Sequence, residues 1–173
     1  MLRGRHARVP AQAVAASAVV PLKEIRGAAM EIVADFDLSD VSARRLGLHL
    51  RMSEDGKEKT TVFFETSTRE FGCQTVLGGK QRVDKGPSGL PADAKSVRLH
   101  VFLDRSVLEA YVNGRAVTAR MYPDPQSLGV ALFAEGGAAG LRSLEAWEMK
   151  SAWDLGPTGP PPVRDNLETK ANQ

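Results

Sequence analysis

The side chains best suited to chemistry gather in one stretch, residues 96–114, which reads Ser-Val-Arg-Leu-His-Val-Phe-Leu-Asp-Arg-Ser-Val-Leu-Glu-Ala-Tyr-Val-Asn-Gly. Arg98, His100, Phe102, Glu109 and Tyr111 combine aromatic surface with hydrogen-bonding groups. Sugars bind such faces, because the flat apolar side of the ring packs on an aromatic and the hydroxyls need fixed partners. Glycoside hydrolysis would ask for more: two carboxyl groups about 5 to 9 Å apart, flanking the scissile bond. The candidates are Glu109, Asp104 and Glu135, with Asp35, Asp37 and Glu65 also on or beside outward or strand-end positions.

These residues share a face only if the chain forms a hairpin there. Val97, Leu99, Val101 and Leu103 alternate with Arg98, His100, Phe102 and Asp104, the period of two that marks a strand with one buried side. A tight turn at residues 104–107 pairs Asp104 with Val107, Phe102 with Glu109 and His100 with Tyr111. Arg98, His100, Phe102, Glu109 and Tyr111 then point outward. Leu99, Val101, Leu103, Leu108, Ala110 and Val112 point to the core. A polar face on an antiparallel pair also arises as an ordinary solvated or docking surface, with cross-strand charge pairs worth a few tenths of a kcal/mol each. Docking, glycan contact and catalysis all stay open at this level.

Several other chemistries fall away. His6, His49 and His100 are dispersed, with no carboxylate at ligand spacing, so no metal and no other cofactor is expected. Ser106 and Ser127 lie in turns without a Gly-x-Ser-x-Gly elbow. The lone Cys73 excludes an internal disulfide and reads as a small buried hydrophobe. A net charge of +2, with no basic cluster interleaved with aromatics, argues against nucleic acid. No apolar run approaches the roughly 20 residues of a membrane helix.

The rest of the chain supplies more strands. Residues 29–38 alternate, with Met30, Ile32, Ala34, Phe36 and Leu38 inward; residues 45–53 alternate with Leu46, Leu48, Leu50 and Met52 inward and His49 outward. Asp55-Gly56 is a hairpin signal, and residues 59–67 return rich in β-branched and aromatic types. Residues 71–77, 117–122, 129–135 and 141–153 read as further strands, and Asn113-Gly114 as a turn. Residues 78–94 hold four glycines and two prolines and are expected to be a loop. No segment has helical periodicity. The expectation is all-β: a two-sheet antiparallel β-sandwich of concanavalin-like jelly-roll type over residues 25–155.

Residues 1–24 are expected to be an arm, a linker or a first strand. Arg3, Arg5, His6 and Arg8 precede a mild apolar stretch, but its alanine-rich core holds Gln12 and Ser17 with Pro21 just beyond, a poor signal peptide. A cytoplasmic and a secreted location both stay open. Residues 156–173 open with Gly-Pro-Thr-Gly-Pro-Pro-Pro and are expected to be a flexible tail.

Val101-Phe-Leu-Asp-Arg-Ser-Val-Leu-Glu-Ala-Tyr-Val-Asn-Gly114 resembles the signature hairpin of the C-terminal β-sandwich of glycoside hydrolase family 32, with Tyr111 where Phe is commoner. Further matches follow in order: Thr118-Ala-Arg-Met-Tyr-Pro123, Gly129-Val-Ala-Leu-Phe-Ala-Glu-Gly-Gly137 and the closing strand from Ser143 to Trp153. Upstream, Phe36-Asp-Leu38 and the segment from Leu48 to Glu58 are similar to the start of the same module. The family comprises invertases, inulinases, levanases and other β-fructosidases, and the resemblance implies a sandwich that packs against a catalytic five-bladed propeller. That propeller's nucleophile motif (Trp-Met-Asn-Asp-Pro-Asn-like), Arg-Asp-Pro and Glu-Cys motifs do not occur here. Tyr122-Pro-Asp-Pro125 falls within a sandwich motif, so no catalytic role carries over. The implied partners are a carbohydrate and either a second copy of the chain or a catalytic propeller. The implied function is a fructan-like glycan-binding or structural, oligomerising module; the alternative is a small glycosidase or hydrolase using exposed carboxylates.

Overall fold

The computed structural model describes residues 2–77 and 80–151. Thirteen strands and no helix occur among them. The first sheet takes β1 (Arg3–Val9), β13 (Ala139–Met149), β4 (Ala29–Asp37), β9 (Ser96–Asp104), β10 (Val107–Val112) and β11 (Arg115–Arg120) in that order, with β2 (Gln12–Val14) also on β13. The second takes β3 (Val19–Arg26), β12 (Gly129–Glu135), β5 (Arg45–Met52), β6 (Thr60–Glu65), β7 (Glu70–Leu77) and β8 (Lys80–Pro87). Every pairing is antiparallel. This is the two-sheet sandwich of jelly-roll type that the alternation implied. Phe36, Ile32, Leu99 and Val101 from one sheet meet Leu46, Leu48, Val62 and Phe64 from the other in a single core.

Two expectations change. Residues 3–26, read as an arm, a linker or a first strand up to residue 24, supply three strands. Their alternation is hidden because β1 lies at a sheet edge and carries arginines, each of which meets a carboxylate: Arg3 with Glu31 at 2.6 Å, Arg5 with Glu148 at 3.8 Å, Arg8 with Glu145 at 3.1 Å. On the same strand, Ala7 and Val9 pack against the core. Residues 80–87, read as loop, form the edge strand β8 on β7. Most of its side chains face solvent, so no apolar alternation is required of it, and Pro87 sits at its end, where a missing donor costs little. Residues 156–173 lie outside the described part of the chain.

Two local devices fix the geometry near the outer faces. Arg51 has φ +49° at a β-bulge where β5 passes Gly129 and Ala131. Its buried guanidinium donates to the carbonyls of Ser127, Arg105 and Asp124, tying the β9–β10 turn to the β11–β12 connection. Glu58 completes that clamp by accepting from the Asp124 amide and the Ser127 hydroxyl. Gly47, at φ +153°, leaves room that a Cβ would fill against the Val62 carbonyl oxygen.

Candidate functional site

Strands β9 and β10 pair as the alternation required: Asp104 opposite Val107, Phe102 opposite Glu109, His100 opposite Tyr111. Asn113 and Gly114 both have positive φ, the type I′ geometry that joins β10 to β11 in two residues. Asn113 then donates to the Gly89 carbonyl at 2.8 Å. Arg98, His100, Phe102 and Tyr111, with Asn113 and Gly114, line an open hollow of about 410 Å³. The ring of His100 lies 4.5 Å from that of Phe102, and Phe102 meets Tyr111 edge to face at 6.1 Å.

The charges on this face are already matched. Glu31, on β4, is only 5% exposed. Its carboxylate accepts a two-pronged pair of bonds from Arg3 at 2.6 and 2.7 Å and a third from His100 Nε2 at 2.9 Å. The Arg3 hydrogen bond outweighs burial and holds the Glu31 carboxyl below its ordinary range. Arg98 donates twice to Asp35. Tyr111 donates to Glu109 at 3.0 Å, and that bond pushes the phenol pKa up. Beyond Glu31, Trp147 stacks with His6 at 4.8 Å beneath the guanidinium of Arg3.

The proposed carboxylates separate into two groups. Asp104 and Glu109 line a neighbouring hollow of about 390 Å³ with Leu2, Phe102 and Val107. Asp104 is 73% exposed there and lies 3.7 Å from Arg105. Glu135 is on the second sheet, ion-paired to Arg44 and, at 3.6 Å, to Arg45. Asp37 is held down to about 2 by the Ser39 amide and Arg142. Ser127 gives its hydroxyl to Glu58, and Cys73 is buried with its thiol pushed up to about 11, so neither is an activated nucleophile.

A second region was not singled out by sequence. On the outer face of the second sheet, a pocket of about 280 Å³ is lined by Arg45, His49, Lys59, Thr61, Gln74 and Phe133, among others. The His49 ring stacks on Phe133 at 4.5 Å and 11°, and its Nδ1 bonds the Thr61 hydroxyl at 3.0 Å. Burial pushes the His49 pKa down to about 4, so the ring is neutral near pH 7. The one signal available was that His49 fell on the outward side of its strand; the aromatic and polar partners come from β6, β7 and β12, far apart in sequence.

Comparison with known proteins places the fold. The family model described as glycosyl hydrolases family 32 C terminal matches residues 2–148. The chain is 34% identical over 138 residues to sucrose-6-phosphate hydrolase of Zymomonas mobilis subsp. mobilis, covering 76% of this chain and 25% of that protein. It is 28% identical to levanase of Bacillus subtilis, covering 76% of this chain and 20% of the levanase. Fructan 1-exohydrolase IIa from Cichorium intybus superposes with a TM-score of 0.71 at 15% identity, over 87% of this chain and 36% of that one. Exo-inulinase from Aspergillus awamori gives 0.69 at 17%, over 86% and 29%. The chain thus spans about a quarter or less of the length of the curated relatives it matches.

Proposed function

We propose, because the chain belongs to the glycosyl hydrolase family 32 C-terminal domains, that it is an accessory sandwich holding a fructan-type sugar residue on the outer face of its first sheet, beside a catalytic propeller as partner. The hollow formed by Arg98, His100, Phe102, Tyr111 and Asn113 carries this reading. Its volume suits one sugar ring, at the low end of the roughly 300–1,000 Å³ range of ligand sites. Phe102 and Tyr111 offer apolar surface, and Arg98, His100 and the Tyr111 hydroxyl offer fixed polar groups. Because Asp35 and Glu31 offset the charges of Arg98 and Arg3, the face favours uncharged hydroxyls over an ionic ligand. An open hollow with its polar groups already paired implies weak affinity, of about millimolar strength, or about −4 kcal/mol. Calorimetric titration with levan, inulin and short fructo-oligosaccharides tests this. Binding heat with at least one is expected; heats equal to dilution for all of them remove the glycan role.

A second reading, hydrolysis, is favoured by one observation: Asp104 and Glu109 line a single hollow with Phe102. The 73% exposure of Asp104 argues the other way, since catalytic carboxylates work in water-poor surroundings. Turnover of nitrophenyl glycosides by purified protein that disappears in Glu109→Gln would establish this reading; activity unchanged by the substitution would remove Glu109 from it.

A further inference from the structure

From the outer face of the second sheet we infer a second subsite, for one uncharged sugar ring, built on the stacked His49–Phe133 pair. The inference rests on the reading above only for the class of ligand; its residues are entirely separate. The pocket is concave, and the stacked, largely buried pair forms part of its wall, so a ring entering it meets aromatic carbon there. The groups around that pair are polar. The Gln74 side chain makes no hydrogen bond among the described residues and can both donate and accept. His49 has Nδ1 committed to Thr61, which leaves Nε2 for a ligand hydroxyl. Arg45 makes ion pairs at 3.6 and 3.9 Å but no hydrogen bond among the described residues, so its donors are also incompletely used. This mixture of donors and acceptors matches hydroxyl groups, each of which is both.

The carboxylate in the wall favours a neutral ligand over an anion. Lys59 and Arg45 bring positive charge, and Glu135, paired with Arg44 and Arg45, places a carboxylate in the same lining. A phosphate or carboxylate seated there would face the Glu135 carboxylate, whereas a hydroxyl can donate to it. At about 280 Å³ the pocket admits one ring rather than a chain. Two such contacts on opposite faces of one sandwich would let a single module touch two strands of a branched or bundled fructan, raising apparent affinity for polymer over oligosaccharide without any new contact.

The test is a titration of the whole chain with short levan oligosaccharides, followed by NMR of the two imidazoles, His100 reporting the first face and His49 the second. Both are expected to shift. Gln74→Ala should raise the dissociation constant read at His49 at least fivefold and leave that read at His100 unchanged; Arg98→Ala should do the reverse. Gln74 is partly exposed and Arg98 is exposed, so both variants should fold. A His49 signal that stays fixed at sugar concentrations that move His100 overturns the second subsite, as does a His49 response lost in Arg98→Ala. If His49 responds and His100 does not, the second subsite stands and the first-face reading falls. Inorganic phosphate moving His49 as far as sugar does would overturn the neutral-ligand assignment.

Discussion

The two outer faces of this sandwich solve the same surface problem in different ways. On the first sheet, exposed Arg3 and Arg98 and half-buried His100 hold more deeply placed carboxylates across the sheet: Arg3 to Glu31, Glu31 to His100, Arg98 to Asp35. On the second, the outward positions are themselves buried. Phe63 and Phe133 flank Gly47, Arg45 lies over the Phe63 ring at 3.9 Å, and His49 is 7% exposed. The first face is a decorated surface; the second is a small satellite core with a pocket in it. Position on the outside of a sheet therefore does not set burial.

That contrast is broken most directly by deleting one phenyl ring from each face. Phe63→Ala should cost about 3–5 kcal/mol of unfolding free energy, the range for a fully buried aromatic, although it lies outside the main core. Phe102→Ala, at a half-buried position, should cost about 1 kcal/mol or less. Urea midpoints at constant m-value report both. Equal costs would mean the second face is no better packed than the first.

The faces should also lose stability in different pH windows. The folded-state pKa of His49 is depressed to about 4 against an ordinary value near 6.5, so the unfolded chain binds the proton more readily. Stability from this group is complete above about pH 6.5 and is lost as pH falls toward 4. The linkage amounts to at most about 3 kcal/mol. Glu31 on the first face is also depressed, as a carboxylate bonded to Arg3, so its contribution is complete above the ordinary carboxylate range and fades only at lower pH. His49→Gln should flatten the stability curve between pH 6.5 and 4 while leaving the more acidic fall; Glu31→Gln should reduce the acidic fall, to which Asp37 also contributes, and leave the first. One merged transition unaffected by either substitution would refute this division.

The first face was legible because it is local. One contiguous stretch, residues 96–114, carries its own period of two and its own turns, so register and shared face followed from counting. Glu31, its most buried charge, was visible only as an outward residue of β4; that it would sit beside His100 needed the β4–β9 pairing, in which Glu31 is opposite Phe102 and Val33 opposite His100. The second face draws on β5, β6, β7 and β12, and no sequence window contains it. Edge strands β1 and β8 were hidden for another reason. Alternation records burial, and an edge strand with charged side chains has little to record.

The smallest expected effect on stability separates a binding face from a structural one. Arg98 is 68% exposed, and its pair with Asp35 stands in water, where such pairs contribute about 0–1 kcal/mol. Arg98→Ala should therefore lower the unfolding free energy by less than about 0.5 kcal/mol, read from the urea midpoint at constant m-value. If the hollow holds sugar, the same substitution removes a guanidinium from its wall and should weaken oligosaccharide binding severalfold. A face kept only to stabilise the fold would show the opposite ratio: a measurable loss of stability and no change in sugar heat. Measuring both quantities on one variant distinguishes the two roles, because the exposure that makes Arg98 dispensable to folding leaves it available to a ligand.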